Sequence, residues 1–224
     1  MSTKNNILTT IKNRHCKRAF LKKPIKKSIL SKILKAATHA ASSKNSQPWQ
    51  VCVLSKKSTK TLSKKLCELF DKNIQEDADY TYMTTPMPDL FKHRARQCGY
   101  DLFKLKNIHI KDYEKRNQHT KENFKFFGAP CTMFFYLHKN AEAGNFLDMG
   151  LFLQNIMLGL LEYDLGSCPQ YSVTQFSNTI KEFCNINTER ILVCGLSIGY
   201  PDDSQKINSF IPKREDISTF TNWI

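Results

Sequence analysis

Three uncharged apolar runs constrain the fold of this chain more than any other feature. They are Trp49–Leu54, Cys131–Leu137 and Ile191–Ile198, and each is rich in β-branched or aromatic residues. Short runs of this kind predict strands of a sheet that is covered on both faces. Residues 146–163 are apolar nearly all round, which predicts a central helix or a helix at a dimer interface. With 224 residues, the chain can bury a full core as one domain or as one domain with arms.

Amphipathic helices are predicted around these strands. The apolar spacing favours helices near residues 4–13, 28–41, 61–70 and 173–184. Gly166 is expected to end the long apolar helix by adopting the left-handed conformation. Residues 167–171 are expected to form a tight turn.

The basic residues are distributed unevenly. Residues 1–66 contain 17 Lys and Arg and no acidic residue, whereas residues 67–224 contain 17 basic and 20 acidic residues. A block of positive charge raises the local concentration of anions, so its candidate partners are a phosphorylated cofactor, an anionic substrate or nucleic acid. Most of the lysines are interpreted as a solvated face. Arg14 and Arg18 suit phosphate recognition better, because the guanidinium group is a rigid fork.

Several classes of protein are disfavoured by the motifs that the chain lacks. Its eight cysteines form no C-x-x-C pair and have no histidine placed to complete a ligand pair, so no metal is expected. Glycine-rich Rossmann and Walker motifs are absent. No apolar run approaches the roughly 20 residues of a membrane span, and the N-terminus does not resemble a signal peptide. The expected location is therefore cytoplasmic, without a membrane partner.

The loop between the second predicted helix and the first predicted strand is rich in hydrogen-bonding side chains. Residues 41–49 read Ala-Ser-Ser-Lys-Asn-Ser-Gln-Pro-Trp. A loop that only reverses the chain favours Gly, Asp or Asn-Gly, whereas this one contains hydroxyl and amide groups and one of the two tryptophans. It is interpreted as a binding loop. The alternative is a polar linker whose Trp49 is anchored in the core.

A second motif, at residues 14–20, reads Arg-His-Cys-Lys-Arg-Ala-Phe. An Arg-x-Cys-x-Arg motif, followed about one helix later by Ser-Ser-x-Asn-Ser-Gln-Pro-Trp, resembles the flavin-dependent nitroreductase family. That family usually has Arg-x-Ser-x-Arg and Pro-Ser-x-x-Asn-x-Gln-Pro-Trp, so the chain departs from it at Cys16 and Ala41. Neither departure removes a cationic or amide group. The sequence is most similar to the nitrobenzoate-reductase-like subgroup, and residues 72–120 match least clearly.

The resemblance implies a fold, a cofactor and an assembly. The fold class would be α+β, a nitroreductase-like fold with a central mixed β-sheet flanked by helices, and residues 1–224 would form one domain. The protein would be a homodimer that binds FMN in active sites shared by both chains, with residues 202–224 as a C-terminal arm on the partner. NAD(P)H would give a hydride to flavin N5 and leave before a small-molecule electron acceptor enters, which is a ping-pong mechanism.

The resemblance also assigns roles to individual residues, none of them as a catalyst, because the flavin carries the redox chemistry. The positions matching the phosphate and ribityl site are Arg14, His15, Cys16, Arg18, Lys213 and Arg214. The positions matching the loop contributed by the partner subunit are Ser42, Ser43, Asn45 and Gln47. The positions matching the flavin edges are Pro169 and Gln170 near N5 and O4, and Asn123 and Lys125 near the pyrimidine.

Residues 72–121 are interpreted as an insertion that covers the substrate. A long insertion in a compact domain is either a lid over a site or poorly ordered. Within it, residues 93–106 predict a basic helix. Relatives in the subgroup act on nitroaromatic carboxylates, so a carboxylate of such an acceptor is predicted to lie within reach of Arg94 or Arg96. A solvated basic helix is the alternative.

Two functions of other classes stay open. The basic N-terminal part suggests nucleic-acid binding, but no recognition motif is present and aromatic residues are not interleaved with the basic ones, so no nucleic-acid partner is expected. A protein of the same fold could also sequester FMN without turnover. His15 and His39 are interpreted as satisfied or exposed histidines rather than acid–base groups. Cys168 is interpreted as a packed cysteine, because no histidine is near it in the sequence.

Overall fold

The computed structural model describes residues 6–74, 76 and 78–224. Its strands are β1 (Gln50–Leu54), β2 (Cys131–Leu137), β3 (Gly166–Gln170) and β4 (Ile191–Gly199). They form one sheet in the order β1-β2-β4-β3, and each pairing is antiparallel. The three predicted strands and the α+β class are confirmed. The sheet itself is antiparallel rather than mixed, and a parallel pairing occurs only as an isolated bridge between Cys16 and Ser167 in the described residues.

Seven α-helices surround this sheet in the described ranges. They are α1 (Ile7–Asn13), α2 (Lys27–Ala37), α3 (Lys56–Asp71), α4 (Asp89–Leu105), α5 (Tyr113–Lys121), α6 (Ala143–Leu161) and α7 (Ser177–Phe183). Helices α2 and α6 bury their apolar faces against one side of the sheet. Helices α3 and α7 pack against the other side. None of these helices is both long enough and apolar enough to cross a membrane.

The central strands supply side chains to both layers of the core. Along β2, Met133 and Phe135 join the cluster under α2 and α6, whereas Phe134 joins the cluster under α3 and α7. This alternation follows from the period of two along a strand. Trp49, just before β1, stacks on Phe152 of α6 with ring centroids 4.7 Å apart. The tryptophan therefore fixes one end of the 41–49 loop to the core.

The chain after α6 differs from the sequence prediction. Helix α6 ends at Leu161, and Asp164, with φ of 55°, takes the left-handed conformation that was predicted for Gly166. Residues 166–170 form the edge strand β3 rather than a tight turn. A Cβ at Gly166 would lie 2.6 Å from Lys17 Cγ and 2.8 Å from Pro201 Cγ. Glycine is therefore needed there for close packing, not to end a helix.

The first strand and the segment before α4 show two further features. Strand β1 is the other edge of the sheet, and its Val53 is 42% exposed, so the predicted cover on both faces is wrong for β1 in this chain. The basic helix predicted at residues 93–106 is α4. Before it, Asp79 lies 2.8 Å from the buried ammonium group of Lys181 and accepts from the Leu192 amide at 2.7 Å. These contacts attach the start of the insertion to α7 and β4.

Candidate functional site

An extended segment, residues 14–20, lies beside strand β3. Cys16 forms a parallel bridge with Ser167, and the Lys17 amide donates to the Ser167 carbonyl at 3.0 Å. Because side chains alternate along an extended segment, Arg14, Cys16 and Arg18 share one side. The structure thus brings the first predicted motif against the edge of the sheet.

The buried side chain of Asn208 holds this segment in place. Its Oδ1 accepts from the Arg18 amide at 2.7 Å, and its Nδ2 donates to the carbonyls of Ala19 at 2.8 Å and Asp202 at 3.0 Å. The Asn208 carbonyl lies 3.1 Å from Nε2 of His15, whose Nδ1 contacts a backbone carbonyl two residues earlier at 2.8 Å. His15 therefore bonds to the main chain, in agreement with its interpretation as a satisfied histidine. No sequence motif points to Asn208, because Arg18, Ala19 and His15, which it contacts, lie near the other end of the chain.

Two thiols meet where this segment contacts β3. Cys168 lies in the buried cluster under α3 and α7, against which Cys16 packs, and its thiol donates to the Pro169 carbonyl at 3.8 Å. The neighbouring Cys168 thiol, and then the positive charges of Arg18 and Arg14, lower the pKa of Cys16, although its partial burial acts in the opposite direction. The neighbouring Cys16 thiol, and then burial, raise the pKa of Cys168. The field of the two arginines thus favours negative charge at Cys16, as a site for an anion requires.

A cavity of about 760 Å³ opens beside Arg18. Its wall contains the cationic side chains of Arg18, Lys106, Lys115 and Lys206. Of the two carboxylates in the wall, Glu122 pairs with Lys125 at 2.8 Å and Asp202 accepts a hydrogen bond from Ser204 at 2.6 Å. We call this space the cation-rich cavity. Its size and excess of positive charge suit a small anionic ligand.

A lysine–histidine pair lines the cation-rich cavity. Lys106 Nζ lies 2.9 Å from His119 Nδ1. Burial, followed by the charges of Lys106 and Arg18, lowers the pKa of His119 to about 4. His119 is thus neutral near pH 7 and accepts a hydrogen bond from Lys106. Burial also lowers the pKa of Lys106, which indicates that positive charge is costly here and that a bound anion would relieve the cost.

The 42–47 loop lies against α6, away from the cation-rich cavity. The Gln47 amide donates to Ser42 Oγ at 3.1 Å, and Gln47 Nε2 donates to the Asn45 carbonyl at 3.4 Å. The Ser43 amide donates to Asp148 of α6 at 3.4 Å. Asn45 and Gln47 have positive φ values of 56° and 46°, which presents their amide groups on an exposed turn. Among the described residues of one chain, no hydrogen bond joins this loop to the 14–20 segment.

The residues assigned to the flavin edges occupy two different environments. Gln170 is buried, its Nε2 donates to the Asn123 carbonyl at 2.8 Å, and its Oε1 accepts from Ser197. The amide of Gln170 therefore holds Asn123 against β3 and β4. Pro169 and Gln170 both line a cavity of about 450 Å³ whose wall also contains Tyr80, whereas Asn123 and Lys125 do not line it. Pro169 and Gln170 belong to strand β3, whereas the sequence predicted a tight turn there.

The other predicted cations are dispersed. Lys125 pairs with Glu122 at 2.8 Å, and Arg94 Nε lies 3.0 Å from Glu215 in a charge contact that is not an aligned hydrogen bond. Arg96 instead lines a cavity of about 870 Å³ along α4. Arg94 and Arg96 therefore lie in different surroundings, and the assignment of either one to the carboxylate of an acceptor stays a prediction.

The predicted C-terminal pair, Lys213 and Arg214, lies on the exposed tail. The Arg214 guanidinium donates to the carbonyls of Pro212 at 2.9 Å and Lys213 at 3.2 Å. In the part of the chain that the structure describes, no hydrogen bond or ion pair joins Lys213 or Arg214 to residues 14–18. Their assignment to the phosphate site stays a prediction.

Comparisons with known proteins agree with this architecture. The sequence model of the Nitroreductase family matches residues 11–200. The chain is 32% identical over 214 residues to 4-nitrobenzoate reductase from Pseudomonas putida, covering 96% of this chain and 93% of that protein. It is 27% identical over 226 residues to chloronitrobenzene nitroreductase from Comamonas testosteroni, covering 100% of this chain and 99% of that protein.

Solved structures give the same result. The FMN-dependent nitroreductase NfnB from Mycobacterium smegmatis, in complex with NADPH, superimposes with a TM-score of 0.93 at 26% identity, over 97% of each chain. The FMN and NADPH-dependent nitroreductase NfnB from sphigopyxis sp. strain HMH gives a TM-score of 0.91 at 25% identity, over 98% of this chain and 99% of that one. The protein described here belongs to the nitroreductase family.

Proposed function

We propose that this protein is an FMN-dependent enzyme that uses NAD(P)H to reduce nitroaromatic compounds. The observation that carries the proposal is the Arg14–Arg18 segment, which holds two guanidinium groups and a thiol of lowered pKa beside β3 in a nitroreductase fold. Bound FMN would supply the redox chemistry, accepting electrons from NAD(P)H and delivering them to the acceptor in a ping-pong sequence. The side chains of the protein bind and orient the reactants.

The residues of this segment fit a phosphorylated cofactor. Arg14 and Arg18 already stabilise negative charge at Cys16, and a phosphate would place more negative charge in the same field. Each charge-assisted hydrogen bond contributes about 1.5 to 3 kcal/mol. The three side-chain bonds of Asn208 fix the backbone that carries Arg18, which reduces the entropy lost on binding. Lys213 and Arg214 would add charge from the tail.

The exposed apolar surface supports a homodimer with shared active sites. On α6, Leu147 is 66% exposed and Leu151 is 42% exposed, and in the tail Phe220 and Trp223 are 71% and 83% exposed. Large apolar side chains in this number favour burial against a second chain. The 42–47 loop would then complete the site of the partner, and residues 202–224 would form the arm between subunits. We propose that each chain is one domain in a cytoplasmic dimer.

We further propose that the acceptor carries a carboxylate that binds in the cation-rich cavity through Lys106. The contact between Arg94 and Glu215 leaves Arg94 less suited to this role than was predicted from the sequence. Lys106 lies among like charges next to a neutral histidine, so a carboxylate would gain more there. Arg96, which lines the cavity along α4, is the rival anchor.

Steady-state kinetics on matched acceptors test this assignment. Nitrobenzoate should have a lower KM than nitrobenzene, and rising salt should narrow the difference. Lys106→Gln should raise the KM for the acid about tenfold or more, because one charged hydrogen bond is lost, and should spare the neutral acceptor. Lys111→Gln, at an exposed position of the same charge, is the control. If Arg96→Ala raises the KM for nitrobenzoate and Lys106→Gln does not, the carboxylate binds to Arg96 of α4 instead.

Two other measurements test the mechanism and the assembly. A ping-pong sequence gives parallel lines in double-reciprocal plots at several acceptor concentrations, whereas intersecting lines would show that both substrates bind together. Light scattering should give a dimer that retains FMN. A monomer with FMN still bound would rule out sites built from both chains.

A further inference from the structure

The proposed reduction of a nitro compound uses no chemistry of the thiol pair formed by Cys16 and Cys168, although Cys16 lies in the segment assigned to the cofactor. Cys16 stands in the motif position that usually holds serine in this family, and it is half-buried on the face of the segment that carries Arg14 and Arg18. Cys168 is 3% exposed in β3, directly after the residue that bridges to Cys16. Cys168 belongs to the buried cluster under α3 and α7, and Cys16 packs against that same cluster, so the two thiols lie on one side of the sheet.

We infer that Cys16 and Cys168 form a peroxide-sensitive dithiol, in which Cys16 is the attacking thiolate and Cys168 is the resolving thiol. In the first step the Cys16 sulfur attacks a peroxide oxygen, the O–O bond breaks, and a sulfenic acid and hydroxide form. In the second step the Cys168 sulfur displaces water from the sulfenic acid to give a disulfide. The two thiols thereby lose two electrons and two protons, and hydrogen peroxide becomes two water molecules.

The surroundings of the pair meet the conditions for such a site. Redox-sensitive cysteines are thiolates that solvent can reach and that have a second cysteine beside them. The neighbouring Cys168 thiol and the guanidinium groups of Arg18 and Arg14 stabilise the Cys16 thiolate. The adjacent Cys16 and burial keep Cys168 protonated. Cys168 therefore does not compete with Cys16 for peroxide and reacts only with the sulfenic acid. The division of roles follows from these opposite environments.

A second thiol pair provides a matched control. The neighbouring Cys184 thiol lowers the pKa of Cys52 while burial opposes it, and no arginine contributes to the shift. Cys98 of α4, also half-buried, serves as a reference thiol. Cys16 should therefore react with peroxide faster than Cys98, and its disulfide to Cys168 should form independently of Cys52.

The test combines peptide mapping with a sulfenic-acid trap on the protein without added FMN. Brief treatment with hydrogen peroxide should give a Cys16–Cys168 disulfide in the wild type and in Cys52→Ser. In Cys168→Ser, dimedone should label Cys16 at least about tenfold more than in the wild type, because the sulfenic acid cannot be resolved. Equal dimedone labelling in the wild type and Cys168→Ser, or oxidation of Cys16 no faster than Cys98, would overturn the inference. The comparison with Cys98 is made on the wild type, so it does not depend on how the variants fold.

A further arm links the pair to the proposed cofactor. A phosphate bound at Arg14 and Arg18 would compete with the thiolate for the same positive charge, so added FMN should slow oxidation of Cys16 several-fold. This arm rests on the proposed function. Rapid oxidation that FMN leaves unchanged would support the dithiol while counting against the phosphate assignment, whereas absent oxidation in both conditions would overturn the dithiol alone.

Discussion

Replacing Asn208 by alanine should loosen the segment that carries Arg14 and Arg18. The substitution removes three side-chain hydrogen bonds, at 2.7, 2.8 and 3.0 Å, from a residue that is 2% exposed. Each such bond contributes about 0.5 to 1.5 kcal/mol, and a backbone group left unsatisfied costs more. The Ala19 carbonyl keeps a second partner, the Asp202 amide at 3.1 Å. We therefore expect a loss of about 2 to 4 kcal/mol in the free energy of unfolding.

Urea unfolding measures this loss, and flavin fluorescence titration measures its effect on FMN binding. Asn140→Ala is the matched control, because Asn140 is exposed and its side chain makes no hydrogen bond among the described residues. Its effect should stay within about 0.5 kcal/mol. The affinity for FMN should fall in Asn208→Ala and not in Asn140→Ala. An Asn208→Ala protein as stable as the control would show that Asn208 does not anchor this segment.

Two more predictions concern charge. Arg14→Ala should weaken FMN binding about tenfold or more. The control is Lys26→Ala, which removes the same charge from an exposed position outside the motif and should leave FMN binding unchanged. Equal losses of affinity would mean that the overall positive field of the N-terminal part, rather than a specific site, holds the anion. Burial, followed by the charges of Lys106 and Arg18, lowers the pKa of His119 to about 4, while Glu122 opposes this shift. His119 therefore takes up its proton near pH 6.5 in the unfolded chain but only near pH 4 in the folded chain. The wild type should lose stability as the pH falls through this window. Because the ring is only half-buried, we expect this loss to be about 1 to 2 kcal/mol in the free energy of unfolding. It is measured by urea unfolding of the wild type and of His119→Gln at each pH. A difference between the two proteins that does not change with pH would refute the shift.

The family and three of the four strands could be predicted because their signals are local. Uncharged β-branched runs marked β1, β2 and β4, and the two polar motifs marked the nitroreductase family. Strand β3 was missed because its sequence, Gly-Ser-Cys-Pro-Gln, has low strand propensity. It is an edge strand that pairing with β4 imposes, and proline is tolerated at such an edge.

The contacts of the candidate site were harder to predict because they join distant parts of the chain. Asn208 contacts Arg18 across 190 positions, and no short motif encodes such a pair. Lys106 and His119 meet between two helices whose packing decides their distance. Arg94 was expected to face an acceptor, but Glu215 of the tail lies beside it. Charge in the sequence predicted an anion-binding protein, whereas tertiary packing decides which cations are available.

An anaerobic titration followed by visible absorbance tests the central claim most directly. The purified protein, reconstituted with FMN, should show flavin bands that NADPH or NADH bleaches and that a stoichiometric nitroaromatic acceptor then restores. A protein that stays yellow after NAD(P)H would be an FMN-sequestering member of the fold. A colourless protein that does not bind added FMN would contradict the account.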